Sequence, residues 1–305
     1  MPSLRPAPST PAADLAALDA KLARLLPPRY QHCAQAVPPT SMGSAALKYA
    51  ADGRVAWDQI WTSFCDLALA GGPPHRGRLL EPVSPAAIAA GPEQYHAVVE
   101  ELVRAIRLTT AFAPVADEPG WVAMPCPSPA EAAWLRAAVV AENVSARRDG
   151  KTLLLPAGPN FRAEKEVKNV VVALAKVSHY FDGHLSDEQQ AAFAGAEPVE
   201  PASAAEAASP EYAAAVALMA RRVTELAGAQ GDTGMYPGWF GVPCGSEEDA
   251  AWLLRATVVE WVLARREGVV LYLPVGAGGP ADAERVGDVF AAAWRLARLR
   301  PAGGP

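Results

Sequence analysis

Cysteine, lysine and long hydrophobic runs are all scarce in this chain of 305 residues. The four cysteines, at 33, 65, 126 and 244, stand singly with no CxxC spacing. That pattern signals neither a zinc ribbon nor a disulfide framework, and fits free thiols in a reducing compartment. Six of the 27 basic residues are Lys, no basic cluster is longer than a pair, and the formal charge is -6. A general nucleic-acid binder needs a concentrated positive face to displace counterions from phosphates, so no nucleic-acid partner is expected. No apolar run approaches the roughly 18 residues that span a bilayer. Asp14, Asp19, Lys21 and Arg24 interrupt the only N-terminal stretch that could serve as the core of a secretory signal. The expectation is a soluble, cytoplasmic protein with no membrane partner.

What the chain does have is apolar content, at 51%, and 29 prolines. Its length is ample for a hydrophobic core and for one large domain or two. The strongest signal is an internal repeat. Residues 120 to 158 align with residues 238 to 276 at a constant offset of 118, without a gap, and 21 of the 39 positions are identical. Two copies suggest a pseudo-symmetric pair and not a solenoid.

Both copies parse alike. Trp121 to Met124 is a short apolar run closed by Pro125, which reads as a strand. Ser128 or Ser246 then offers a helix cap, with Pro129 or the acidic Glu247, Glu248 and Asp249 in the first turn. The expected helix runs for about 20 residues to Arg-Arg-Asp-Gly or Arg-Arg-Glu-Gly, with Gly150 or Gly268 as a left-handed cap. A second strand follows at Leu153–Leu155 or Val270–Leu273, ended by Pro156 or Pro274. Flanking helices are predicted over 95–109, 162–179, 212–226 and 282–299 from apolar residues at helical spacing.

The predicted fold is mixed α/β: internally duplicated β-α-β modules with flanking helices about a pseudo-twofold, sharing a small sheet of about four short strands. Two separate lobes are the alternative. Residues 1–27 read as a flexible tail and amphipathic helix, 28–80 as a segment with no counterpart, 81–184 as module one, 185–210 as a linker and 211–300 as module two. Within 28–80, Trp57 to Leu69 reads as a helix, with Trp57 and Trp61 on one face.

Candidate chemistry begins at Gly71-Gly72-Pro73-Pro74-His75-Arg76-Gly77, where a stiffened loop presents an imidazole and a guanidinium able to protonate and clamp an anion. An ordinary glycine cap and surface turn would look the same. Cys126 and Cys244 sit at strand-to-helix junctions, where a thiol facing helix amides is activated and a buried one is inert. Cys126-Pro127-Ser128-Pro129 resembles the Cys-Pro-x-Pro signature of the TusA sulfur carriers. The resemblance covers four residues, is missing from the second copy and is not adopted. Glu142 and Glu260 lie in an apolar context, and an arginine of the neighbouring copy (Arg147, Arg148, Arg265 or Arg266) is the expected structural partner. Lys165, Lys168, His179 and His184 belong to copy one alone. The spacing of the two histidines does not suit a helical metal site, so no metal is expected, and no motif names a cofactor.

These observations point to a binder of a small anionic molecule, read as an enzyme of unassigned reaction class, with its site near the glycine-proline loop and the module interface. His75 and Cys126 are the candidate chemical groups; Arg76, Lys165, Lys168 and His179 are the candidate ligand contacts. The alternative is a non-catalytic pseudo-dimeric scaffold for a protein partner. Convergence of these residues would favour the first, and dispersal beside a flat apolar patch the second. Whether the chain forms a homodimer is not written in the sequence.

Overall fold

Hydroxyl caps place most of the helix starts. Thr10, Ser84, Ser128, Ser186, Ser209 and Ser246 each accept a hydrogen bond from a first-turn amide that has no partner inside its helix. The structure is a computed structural model and describes residues 10–31, 33, 46–60, 67–194, 197–276 and 278–300. In chain order the elements are α1 (Pro11–Leu25), α2 (Pro85–Ala90), α3 (Pro92–Thr109), β1 (Val115–Ala116), β2 (Trp121–Pro125), α4 (Pro129–Ala141), β3 (Arg147–Asp149), β4 (Thr152–Pro156), α5 (Lys168–His184) and α6 (Asp187–Ala191). They continue with α7 (Pro210–Arg222), β5 (Trp239–Pro243), α8 (Glu247–Val258), β6 (Arg265–Glu267), β7 (Val270–Pro274) and α9 (Pro280–Ala297). None of the helices among the described residues is long and apolar enough to cross a membrane.

The fold is mixed helix and sheet, but the strands form two sheets and not one. Among the described residues the first sheet has the order β1-β2-β4-β3 and the second β5-β7-β6, every pairing antiparallel. The predicted helix of about 20 residues is therefore two elements. Helix α4 stops at Ala141, Asn143 takes a left-handed φ of 62°, and Asn143 N and Val144 N close on Val140 O and Val139 O. That is a Schellman ending, here with Asn in place of the usual Gly. The Arg-Arg that reads as a helix end is strand β3, and Gly150, at φ 54°, turns it into β4. Asp-Gly is a hairpin signal as well as a helix stop, and the hairpin wins here. Because β4 lies between β2 and β3, which run in the same direction without pairing, the predicted β-α-β unit is a split one.

Contacts recur at the repeat offset or within one residue of it. Trp261, 118 residues after Asn143, has φ 60°. The phenols of Tyr95 and Tyr212 accept from Gly120 N and Gly238 N, both at 2.9 Å. Leu80 bridges Val144 in parallel, and Val199 bridges Val262. Trp134 Nε1 donates to Leu25 O and Trp252 Nε1 to Cys33 O, so both tryptophans are fastened to the N-terminal segment and not to each other. Helix α4 is buried on every side from Ala130 to Ala141, which makes it a core helix and not an amphipathic one.

Elsewhere the boundaries differ from the sequence pattern. The segment predicted as a helix over 57–69 has 3-10 turns at Trp57–Gln59 and Ala68–Ala70, while Trp61 and the rest of 61–66 lie outside the described residues. So do positions 1–9 of the expected tail. The helix predicted from 162 opens as a π-helical turn, Ala163–Val167, before α5. The stretch 185–210 holds α6 and a 3-10 turn, Glu206–Ala208.

Gly238 supplies a test of this packing. It has φ 76°, and a Cβ there would clash with the backbone oxygen of Ala202. A Cβ at Gly150, where φ is 54°, would meet none of the described residues within 4 Å. Gly238→Ala is expected to cost about 2–3 kcal/mol in urea unfolding and Gly150→Ala about 1 kcal/mol. Equal losses at the two positions would mean that the tight approach of residue 202 carries no energy.

Candidate functional site

The segment 67–80, which precedes the aligned repeat, runs between the two modules, with its 3-10 turn Ala68–Ala70 packed against both α4 and α8. One carboxylate fixes it. Glu142 is wholly buried; its Oε1 accepts from Ala68 N at 2.9 Å and its Oε2 from His75 N at 2.7 Å. Lys176 Nζ, wholly buried on α5, lies 2.7 Å from Oε1. The expected arginine from the neighbouring copy is not the partner: a lysine of the same module and two loop amides satisfy this anion. Glu260, at the equivalent position, is half-exposed and pairs with Lys21 of α1.

The grip on the loop aims the His75 ring into the module. Burial drives the imidazole down to about 4, against the pull of Glu142 and with the help of Lys176; Asn169 and Lys168, from the start of α5, act on it next. His75 is therefore neutral at physiological pH. Its Nε2 is enclosed and has no hydrogen-bond partner among the described residues. Neither Lys168, Asn169 nor Lys176 has a like residue in copy two, where positions 286, 287 and 294 are Val, Gly and Trp.

A second polar layer joins the modules beneath this cluster. Asn143 is wholly buried; its Nδ2 donates to Arg76 O at 2.8 Å and to Arg266 O at 2.7 Å. Arg265 Nη1 donates to Asn143 Oδ1 at 3.3 Å and to Glu267 Oε1 at 2.6 Å, and Glu267 also receives Leu79 N at 3.0 Å. The Arg265 guanidinium lies 4.0–4.9 Å from the ring centres of Tyr272, Tyr236 and Trp239, which cover its remaining N–H groups. Arg266 Nη2 donates to Gly72 O at 3.1 Å. Strand β6 thus docks onto the end of α4 and onto the glycine-proline loop, and its arginines serve this seam instead of Glu142.

The residues singled out from the sequence separate into two groups. His75 and Lys168 come together. Arg76 is half-buried beside them, but the charges that act on it are the carboxylates of Glu166 and Glu267, and its Nε donates to Arg78 O at 3.1 Å. Lys165 stays exposed on the π-helical turn, 3.5 Å from Glu166. His179 is about 16 Å further along α5 than Lys168 by helix rise, where its ring meets that of His184 at 5.1 Å; burial, then His184, lowers its pKa. Cys126 is buried with Sγ 3.6 Å from Met124 O, and burial, reinforced by Glu131, pushes its thiol up to about 12. Cys244 repeats the arrangement, at about 11. Activation by helix amides fails because Ser128 and Ser246 take those amides and the thiols are desolvated.

Glu142 and Arg265 aside, the members absent from the sequence-based set are Lys176, Asn143 and Asn169. Lys176 had a visible signal: it is the single charge in the otherwise apolar run from Val170 to Val177. Among the described residues no group of three or more His, Cys, Asp or Glu could hold a metal ion. A shallow apolar crevice lies between the modules, lined by Ala133, Ala137, Phe193, Val258, Trp261 and Val262. No family model, no curated protein and no solved structure matches this chain.

Proposed function

We propose that this chain binds a small anionic molecule at the 71–77 loop, where the start of α5 meets it, and that His75 is the group at the centre of the site. The observation that carries the reading is the enclosed His75 Nε2, which has no partner among the described residues although two amides and a carboxylate are spent on positioning its residue. A buried polar atom left unpaired in a folded protein calls for a ligand, an ion or a water. With Lys176 and Glu142 paired to each other, Lys168 is the further charge acting on the ring, and it favours an anion over a cation. We read the two modules as diverged copies of one unit about a pseudo-twofold, with the site belonging to copy one; the contacts that recur at offsets of 117 to 119 support that descent. Acid–base work at this site falls to a neutral imidazole, and Cys126 and His179 have no part in it.

A scaffold that presents its modules to a protein partner is the second reading, favoured by the apolar lining of the intermodule crevice. Against it, the large exposed apolar residues, such as Tyr49, Leu108, Leu226 and Met235, come from separate elements.

The test is a thermal-shift screen of anionic metabolites on the wild type and on Arg76→Ala. A ligand at a hundredfold excess over its Kd stabilises the native state by about 2.7 kcal/mol, a rise of several degrees in wild type that Arg76→Ala reduces or abolishes. No shift in wild type with any compound, or equal shifts in both proteins for every hit, would overturn the anion site at this loop.

A further inference from the structure

We infer that Arg136 and the intermodule crevice form a second binding site, for a small carboxylic acid with an apolar body, independent of the 71–77 loop. Arg136 lies within α4 with none of its surface exposed, and its one partner among the described residues is Glu200, whose carboxylate meets Nη1. Its Nε and Nη2 are enclosed and have no partner among the described residues. Those N–H groups point the same way and make the planar fork that matches the two oxygens of a carboxylate. Arg265, also wholly buried, turns its spare N–H groups to three aromatic rings, whereas no ring among the described residues lies over Arg136. Packing does not require a cation here: the equivalent position in copy two is Leu254, equally buried. A buried guanidinium with its fork unpaired is destabilising, and a ligand that pairs it removes the penalty.

Segment 197–200 sets the fork against the crevice. Glu200 grips Arg136, and Glu197 Oε1 lies 2.6 Å from Arg148 Nη2 of β3. Between them Val199 N donates to Trp261 O at 3.3 Å and Val199 bridges Val262. Pro198, Trp261 and Val262 line one side of the crevice; Ala133, one turn before Arg136, and Ala137, next to it, line the other. Apolar walls from both modules thus stand beside a buried cation. The Glu200 side chain is 43% exposed and that of Glu197 is 74% exposed, so both reach these arginines from solvent and are free to swing back to it. A ligand carboxylate enters where Glu200 covers Arg136. Charge alone suits any anion, and the apolar walls select one whose body is hydrocarbon.

The probes are 3-methylbutanoate and benzoate, each beside its neutral amide, with inorganic phosphate as an anion that has no apolar body, all titrated calorimetrically into the full chain. At least one acid is expected to bind tenfold or more tightly than its amide and than phosphate. Arg136→Leu, which installs the residue of copy two, should bring that acid down to the level of its amide. Arg136→Lys keeps the charge without the fork and should recover only part of the affinity. Arg76→Ala should leave it unchanged, which separates this site from the loop. The inference is overturned if neither acid binds, if acid and amide bind alike, if phosphate binds as tightly as the acids, or if Arg136→Leu keeps full affinity. A readout free of any variant is the set of nuclear Overhauser contacts between the bound acid and wild type. They should reach the methyl groups of Ala137 and Val262, and contacts confined to other residues would place the ligand elsewhere and sink the proposal.

Discussion

Glu142→Ala is expected to remove about 5 kcal/mol of stability, a large fraction of the 5–15 kcal/mol that holds a typical domain. Two losses combine. Lys176 is left as an uncompensated buried charge, which costs about 3–5 kcal/mol. The amides of Ala68 and His75 lose their acceptor in a place where water does not reach one of them, since Ala68 is wholly buried. Glu142→Gln keeps the shape and one acceptor oxygen, so its loss should be smaller, about 3 kcal/mol. The informative measurement is the sign of Lys176→Met in two backgrounds. In wild type it strands a carboxylate and destabilises; in Glu142→Gln it removes a stranded ammonium and should be neutral or stabilising. Urea unfolding of the four proteins gives the cycle. Hydrogen exchange at Ala68 and His75 should quicken in Glu142→Gln before exchange in α4 does. A Lys176→Met loss of equal size in both backgrounds would show that the pair is not what fixes the loop, and the positioning of His75 would need another cause.

The legible parts of this molecule are the ones written in local chemistry. Serine caps, the hydrophobic spacing of α3, α7 and α9, and the strands stopped by Pro125, Pro156, Pro243 and Pro274 all follow from a few neighbouring residues. The end of α4 was not legible, because Val144 and Ala146 continue an apolar pattern that suits a helix as well as the extended chain before β3. A left-handed Asn143 in one copy and Trp261 in the other share no residue signal. The partners of Glu142 were hidden for a different reason: two are backbone amides, which no sequence displays, and the third is 34 positions away, on a helix whose burial depends on the whole fold. His75 and Lys168 could be named as polar residues peculiar to one half, whereas the upward pKa shift of the Cys126 thiol follows from its depth in the core. Residues 199–203, Val-Glu-Pro-Ala-Ser, also echo 80–84, Leu-Glu-Pro-Val-Ser, and so link the end of the supposed connector to the chain ahead of α2.

Asn143 is the position at which the two modules depend on one side chain, and its variants should rank in an order that chemistry alone sets. Asn143→Gly keeps the left-handed backbone without penalty and deletes the side chain. Arg76 O and Arg266 O lose their donor and Arg265 loses an acceptor, for an expected cost of about 3 kcal/mol. Asn143→Ala loses the same contacts and adds the strain of a β-carbon at φ 62°, about 1 kcal/mol more. Asn143→Asp is nearly isosteric and still offers an oxygen to Arg265, yet its second oxygen faces two carbonyls that accept and cannot donate. A buried anion against two acceptors should make it at least as damaging as Ala at pH 7, with the deficit shrinking on acidification, when the protonated carboxyl regains one donor. A substitution at the equivalent position of copy two, Trp261→Asn, touches none of these partners and should leave the seam intact. Urea unfolding at pH 7 and pH 5 checks the ranking. An Asp variant as stable as wild type at pH 7 would mean that Asn143 does not donate to those carbonyls, and that β6 is held at the seam by Arg265 Nη1 on the residue-143 oxygen and by Leu79 N on Glu267.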